Sequence, residues 1–252
     1  MFHIIADLHT HSIASTHAYS TIGEMVQSAK EKGLFAIAIT DHAGLMPGAP
    51  RDWHFICLAS TIPLYYKGVL TLAGIEANVT DFEGNLDLEE RDAGQLDWVV
   101  ASVHHIGLPG LAEPTPEKCT NMWLKIAENP LVNVIGHSGD PVCAYDYERV
   151  IPVFGEKGKL VEINSHSFEA RPQNIDNCRK IALCCKKYGV PVIVSSDAHF
   201  ETDVANFDKA LHMLEEIDFP EELIVNASKE RLLAYLEKHS EGYRRRTAAA
   251  NP

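Results

Sequence analysis

Ala6-Asp7-Leu8-His9-Thr10-His11, closed by His17 a few residues later, is the stretch whose reading decides the fold. The apolar, Ile-rich run from Phe2 to Ala6 is bounded by polar residues and predicts a short buried strand that delivers the histidines at its carboxyl end. Residues i and i+2 of an extended chain share a face, so Asp7, His9 and His11 are expected to converge on one point. Two imidazoles placed this way can bind one divalent ion, with Asp7 as a further ligand or as the carboxylate that orients a ring nitrogen. A lone His-x-His would as readily be a pair on a solvated strand end. Repetition along the chain decides against that.

Leu34 to Ile39 predicts a second strand, ending in Thr40-Asp41-His42. Val69 to Ile75 delivers Glu76, Leu96 to Val103 ends in His104-His105, and Val132 to Ile135 ends in Gly136-His137. Leu160 to Ile163 is followed by Asn164 and His166, and Val190 to Val194 by Ser195-Ser196-Asp197-Ala198-His199. Helical spacing fills the gaps over Ser20 to Gly33, Cys57 to Tyr66, Glu117 to Glu128, Asp146 to Glu156 and Asn174 to Tyr188. Two more helices are expected near Phe207 to Glu216 and Ser228 to Lys238.

Strands alternating with helices imply a parallel sheet. In an open, doubly wound sheet only strands near the topological switch point bring their carboxyl ends together, whereas in a barrel all of them surround one mouth. Six of the seven strand ends offer His, Asp or Glu. The expected fold is therefore α/β, a (β/α)7 variant of the TIM barrel with the site at the C-terminal face of the strands. No linker, repeat or low-complexity tract divides residues 1–240, and the tail 241–252, with the Arg triplet after Tyr243, is expected to fray.

The chain has 252 residues, 46% of them hydrophobic, enough for a full core. The start has neither the basic segment nor the apolar core of a signal peptide, and no apolar stretch approaches the roughly 20 residues that span a bilayer. A cytoplasmic protein with no membrane partner is the expectation. Six cysteines without CxxC spacing read as buried reduced thiols. A net charge of -13 disfavours duplex nucleic acid, which is held by many Lys and Arg contacts to phosphate. A small anionic substrate fits if the site carries its own positive charge; the sequence leaves a homo-oligomer open.

The candidate ligands are His9, His11, His17, His42, Glu76, His104, His137, Asp197 and His199. First-row divalent metals take about four to six ligands, so this set suggests two or three ions sharing bridging groups. Glu76 is the expected bridge, since two carboxylate oxygens can serve two ions. Imidazole with carboxylate suits Zn²⁺, with Mn²⁺ or Fe²⁺ as alternatives. Three divalent ions carry about +6 and Glu76 with Asp197 return about -2, a local charge that attracts phosphate and acidifies bound water. Glu76 and Asp197 are the residues expected to act in catalysis. On the substrate side or behind the ligands stand Asp7, Arg51, His54, His166 and Arg171. Arg51 and the aromatic cluster Trp53-His54-Phe55 are expected on a loop forming a pocket wall. Asp41, one residue before His42, reads as a supporting or capping group, and His105 as pointing to the wrong face. His3, His212 and His239 lie away from strand ends and read as packing or surface.

Taken together, DLHTHS, ITDH, GIEAN, a strand ending ASVH, IGH and SSDAH resemble the PHP (polymerase and histidinol phosphatase) family, from about Ile4 to near Lys238. STHAYS, WHF, EIN and DNCR are most similar to its YcdX-type phosphatases. The resemblance implies a distorted seven-stranded barrel with a trinuclear zinc site that hydrolyses phosphate monoesters. It implies His9, His11, Glu76 and Asp197 around one ion, Glu76, His104 and His137 around a second, and His17, His42 and His199 around the third. His105 and His166 depart from the pattern, on the side of substrate rather than metal.

The function expected is hydrolysis of small phosphate monoesters by attack of a metal-bound hydroxide. The alternatives are a histidinol-phosphate phosphatase or a nucleic-acid-end phosphoesterase of the same family and, from another class, a non-catalytic metal-binding protein. No accompanying polymerase is expected, and no ligand position is missing.

Overall fold

The structure, a computed structural model, describes residues 2–89, 94–104 and 106–250. Its strands are β1 (Ala6–Thr10), β2 (Ala36–Ile39), β3 (Tyr65–Tyr66), β4 (Val69–Asn78), β5 (Trp98–Ser102), β6 (Val134–Ile135), β7 (Leu160–Asn164) and β8 (Val192–Ser195). Seven of them run in the order β1-β2-β4-β5-β6-β7-β8, each parallel to the next. A bridge between Thr10 and Ala198, together with Asp197 N donating to His9 O at 3.0 Å, brings β8 back to β1. The sheet thus nearly closes into the expected barrel.

Strand alternation sorts the side chains into two layers. Ala6, Leu8, Ala36, Ala38, Leu70, Leu72, Trp98, Val100, Val134, Leu160 and Ile193 share one buried cluster, the barrel interior. Their neighbours Ile37, Ile39, Ala101, Ile135, Val161, Ile163, Val192 and Val194 pack into a second cluster with the surrounding helices. Those helices are α1 (Ile22–Glu31), α2 (Asp52–Thr61), α3 (Pro116–Glu128), α4 (Tyr147–Glu156), α5 (Ser167–Ala170), α6 (Ile175–Tyr188), α7 (Asp208–Glu216), α8 (Lys229–His239) and α9 (Glu241–Ala250). Local chemistry sets their ends. Thr21 and Glu24 form a capping box on α1, Thr115 caps α3 ahead of Pro116, and α6 stops at Gly189 in the left-handed conformation.

Several boundaries differ from the sequence reading for identifiable reasons. The first strand is Ala6–Thr10, so Asp7 and His9 lie within it, not beyond its end. The helix expected over Cys57 to Tyr66 is instead Asp52–Thr61, and Trp53-His54-Phe55 form its first turn, not a loop. Pro63 prevents its continuation. Tyr65–Tyr66 then pairs antiparallel with β4 through Lys67-Gly68, both at positive φ, the conformation a two-residue hairpin requires. The tail expected to fray is α9, with Tyr243 buried. Arg246 of the triplet is not a solvated charge: it pairs with buried Asp97 and donates to Ile62 O at 2.6 Å. With Val225, Leu232 and Leu236, Tyr243 joins the interior cluster and closes the N-terminal end of the barrel.

Candidate metal centre

Inward positions near the carboxyl ends of the strands switch from apolar to polar: after Leu70 and Leu72 comes Glu76, after Leu160 come Glu162 and Asn164, and after Ile193 come Ser195 and Asp197. On β1 strict alternation would put His9 on the side opposite Ala6 and Leu8. The pairing of β1 with β2 shifts register between Asp7 and Thr10, and this irregularity turns His9 and His11 into the barrel while Asp7 stays on the other face. Asp7 therefore does not join the histidines: it accepts from Ser196 Oγ, Ser196 N and Ala205 N and ties the loop after β8 to β1.

Glu76 is the centre of what remains. Its Oε1 lies 2.9 Å from His137 Nε2, 3.3 Å from His104 Nε2 and 3.4 Å from His9 Nε2; its Oε2 lies 2.7 Å from His42 Nδ1 and 3.5 Å from His11 Nε2. Asp197 Oδ1 is 3.2 Å from His11 Nε2 and 3.6 Å from His9 Nε2. The ring of His17 stacks between those of His42 and His199, at 4.9 and 4.5 Å. All nine expected ligands come together. Ligand atoms of His9, His11 and Glu76, of His42, Glu76 and His104, and of His11, His42 and His199 each lie within 4.8 Å of one another.

The surrounding hydrogen bonds decide which nitrogen faces the centre. Glu162 Oε1 can only accept from His9 Nδ1, at 2.6 Å, which leaves the lone pair on Nε2. Ser15 Oγ donates to Asp41 Oδ1, so toward His11 it accepts from Nδ1, again leaving Nε2 free. Asp87 takes the Asn78 amide N–H, so Asn78 Oδ1 accepts from His104 Nδ1 at 2.7 Å. His199 Nδ1 donates to Asp197 O at 2.8 Å. Four histidines thus present a bare Nε2, and none of those four atoms has a hydrogen-bond partner.

Electrostatics agree with a cation at this point. Burial pushes the Glu76 carboxyl up, but His104, His9 and His42 outweigh it and hold it well below the usual range. Asp197 behaves likewise against His9, His11 and Arg171. Burial, then His42 and His199, keep His11 neutral. Burial also lowers His9, yet Glu162, Glu76 and Asp197 prevail and draw positive charge onto it, a demand that a metal beside Nε2 would meet. The site backbone is strained as well: Asp197 sits at φ 56 and His137 at φ 21.

Glu162 is the residue the sequence reading missed. Buried in β7, it accepts from His9 Nδ1, from His137 N at 2.6 Å and from Ser195 Oγ at 2.5 Å. An acidic residue within an otherwise apolar strand was the available signal. Asp41 holds Ser12, Ser15 and His54 (Nε2 at 3.3 Å), in keeping with a supporting role. Arg171, partly exposed, reaches Asp197 Oδ2 at 3.6 Å, and the His166 ring lies 6.1 Å from that of His199. Arg51 is exposed at the start of α2, where its carbonyl accepts from His54 N, and its side chain makes no hydrogen bond or ion pair among the described residues. His105 lies outside the described residues. Cys143 and Arg149 have the Cys-x5-Arg spacing of cysteine phosphatases, but Arg149 pairs with Glu117 at the surface. The Cys143 thiol, which donates a hydrogen bond to Cys119 Sγ and is buried, is pushed far up, away from a reactive thiolate.

Comparison with known proteins agrees with this centre. A family model described as "PHP domain" matches residues 7–166. The chain is 42% identical over 243 residues to a protein of Acetivibrio thermocellus named "Probable phosphatase", covering 96% of this chain and 99% of that one. A protein of Caldanaerobacter subterraneus subsp. tengcongensis, also named a probable phosphatase, is 43% identical over 238 residues, covering 93% and 92%. Among solved structures, the histidinol phosphate phosphatase of Lactococcus lactis subsp. lactis, complexed with zinc, L-histidinol and phosphate, is similar in fold. Its TM-score is 0.59 at 17% identity, covering 85% of this chain and 94% of that one. With its strand-end His, Asp and Glu residues, its nearly closed barrel and close relatives along almost its whole length, the chain belongs to the PHP family.

Proposed function

We propose that this chain, a phosphatase by kinship with these relatives, hydrolyses phosphate monoesters of small molecules at three divalent ions, zinc first, with manganese or iron as alternatives. The observation that carries this reading is a set of buried donor atoms that no protein group satisfies. They are Nε2 of His9, His11, His104 and His199, while His42 Nδ1 and Glu76 Oε2 face each other at 2.7 Å. Unpaired buried polar atoms are costly, and bound cations remove that cost. His9, His11, Glu76 and Asp197 would hold one ion, Glu76, His104 and His137 a second, and His17, His42 and His199 the third. When bound, such ions supply positive charge opposite the phosphate oxygens and make a neighbouring water acidic near neutral pH.

The chain's own groups do the rest. Glu162, Ser15 and Asn78 keep the imidazole rings in one tautomer and orientation. Arg171, anchored on Ser167 Oγ and close to Asp197, adds a cation at the mouth for a phosphate oxygen. No helix among the described residues is long and apolar enough to cross a membrane, and the cysteines are free thiols, in keeping with a cytoplasmic enzyme.

Metal-loaded protein is expected to release phosphate from para-nitrophenyl phosphate, to lose that activity in EDTA and to regain it when zinc or manganese is restored. Undiminished activity in EDTA, from protein in which elemental analysis finds no metal, overturns the reading.

A further inference from the structure

The loops leaving the carboxyl ends of β4, β5 and β6 enclose a cavity of about 420 Å³, within the size range of small-molecule sites. Phe82, Val103, Leu108, Leu111 and Val142 line it. His104 lines it too, and the same imidazole lies 3.3 Å from Glu76 Oε1, so the cavity and the metal centre share a wall. Among its described lining residues there is no Asp, Glu, Lys or Arg.

From this juxtaposition we infer that the cavity receives the alcohol portion of the substrate, and that this portion is an uncharged apolar group, alkyl or aromatic. The inference rests on the phosphatase reading and narrows it. A phosphate at the metals places its ester oxygen beside the centre, and a cavity sharing His104 is positioned to take what that oxygen carries. Sugar hydroxyls or an amino-alcohol ammonium would leave water there with no carboxylate to replace it, which costs binding. An apolar chain loses nothing on entry and gains roughly fourfold in affinity for each methylene buried.

The test uses two homologous series on metal-loaded protein. Linear alkylphosphonates from ethyl to hexyl, whose carbon–phosphorus bond is not hydrolysed, are titrated calorimetrically. The corresponding alkyl phosphates, whose alcohols differ little in acidity, are compared by kcat/KM. Affinity and kcat/KM are both expected to rise about fourfold per methylene over the first few carbons. Val142→Glu, at a position 56% exposed where a new charge need not disturb folding, should flatten both series, as should Leu108→Glu. Turnover with a flat chain-length dependence in both series overturns the cavity assignment and leaves the phosphatase reading intact. Phosphonate affinity that rises with chain length without turnover of any ester overturns the phosphatase reading and keeps the cavity as an apolar site. Flat affinity together with a dimer that Val142→Glu dissociates gives the cavity to a second copy of the chain.

Discussion

The two ends of the barrel treat buried polar groups differently. At the N-terminal end most of them find protein partners, with Asp97 Oδ1 among the exceptions. Asn226 donates to Ala6 O and Val194 O and accepts from Val194 N, Lys159 Nζ donates to Asn129 O and Val132 O, and Asp97 meets Arg246 and Ala73 N. At the C-terminal mouth, Nε2 of His9, His11, His104 and His199 have none, and two residues there adopt positive φ. Interactions at the floor belong to the fold, whereas the mouth keeps buried nitrogens that the proposed ions would satisfy.

The harshest way to probe this contrast is to remove the charge at the centre of the mouth. Glu76→Gln keeps the volume but withdraws the carboxylate that approaches five imidazoles. It should strip metal and lower kcat/KM by at least about 10³-fold. Elemental analysis beside steady-state kinetics reads both. A variant with full metal content and wild-type rates would show that the centre is organised by something other than Glu76.

The matching change at the floor is Arg246→Met, which should spare the metal centre and cost folding stability. Leaving Asp97 buried without its cation is expected to lower stability by about 3 kcal/mol near neutral pH. Its pH dependence has a definite sign. Burial pushes the Asp97 carboxyl up to about 6, with Arg246 pulling it down. A raised carboxyl contributes stability below its unfolded value of about 3.9 and loses it as pH rises through about 6. Without Arg246 the carboxyl rises further, so the deficit of the variant should widen from about pH 5 to about pH 8. Urea unfolding at those two values measures it. A deficit independent of pH would mean that Arg246 acts through its contacts with Ile62 O and Thr71 O alone.

This contrast also marks what could be read from the sequence. Strand ends carrying His42, Glu76, His137, Asp197 and His199 are legible because ligands follow apolar runs directly. So was the barrel, since so many converging ends need one mouth. Whatever depends on pairing between distant segments was not legible. The register shift that separates Asp7 from His9 arises from how β1 meets β2, and simple alternation predicted the opposite. Arg246 looked like part of a solvated triplet because Asp97, its partner 149 positions away, carries no local mark. Glu162 was hidden differently: its strand was recognised, but its inward direction has meaning only once the barrel is closed.

A milder probe of the mouth disturbs the group that orients His9 instead of His9 itself. Glu162→Gln can still accept from His9 Nδ1 and Ser195 Oγ through its amide oxygen, but it then turns an N–H toward His137 N. The metal centre should weaken by about 10- to 100-fold in affinity, the range for groups that orient metal-bound histidines. Competition with a calibrated chelator measures this, and Glu162→Asp should recover less than Gln because it no longer spans the distance to His9. Unchanged affinity in both variants would place Glu162 with the floor, as a folding residue only.

The smallest effect should come from His54, where mouth and surface meet. Asp41 accepts from Ser12 N, Ser12 Oγ, Ser15 Oγ and His54 Nε2, about as many bonds as a carboxylate can take, and the His54 contact is the longest at 3.3 Å. The His54 side chain is 24% exposed, so water can occupy its place once it is gone. Ser15, which links Asp41 to His11, keeps its own bond to the carboxylate in either case. His54→Ala should therefore change metal affinity by less than about threefold and leave the number of bound ions unaltered. Loss of one ion per chain would instead make His54 a ligand, and would extend the set of unsatisfied imidazoles from the strand ends onto the first turn of α2.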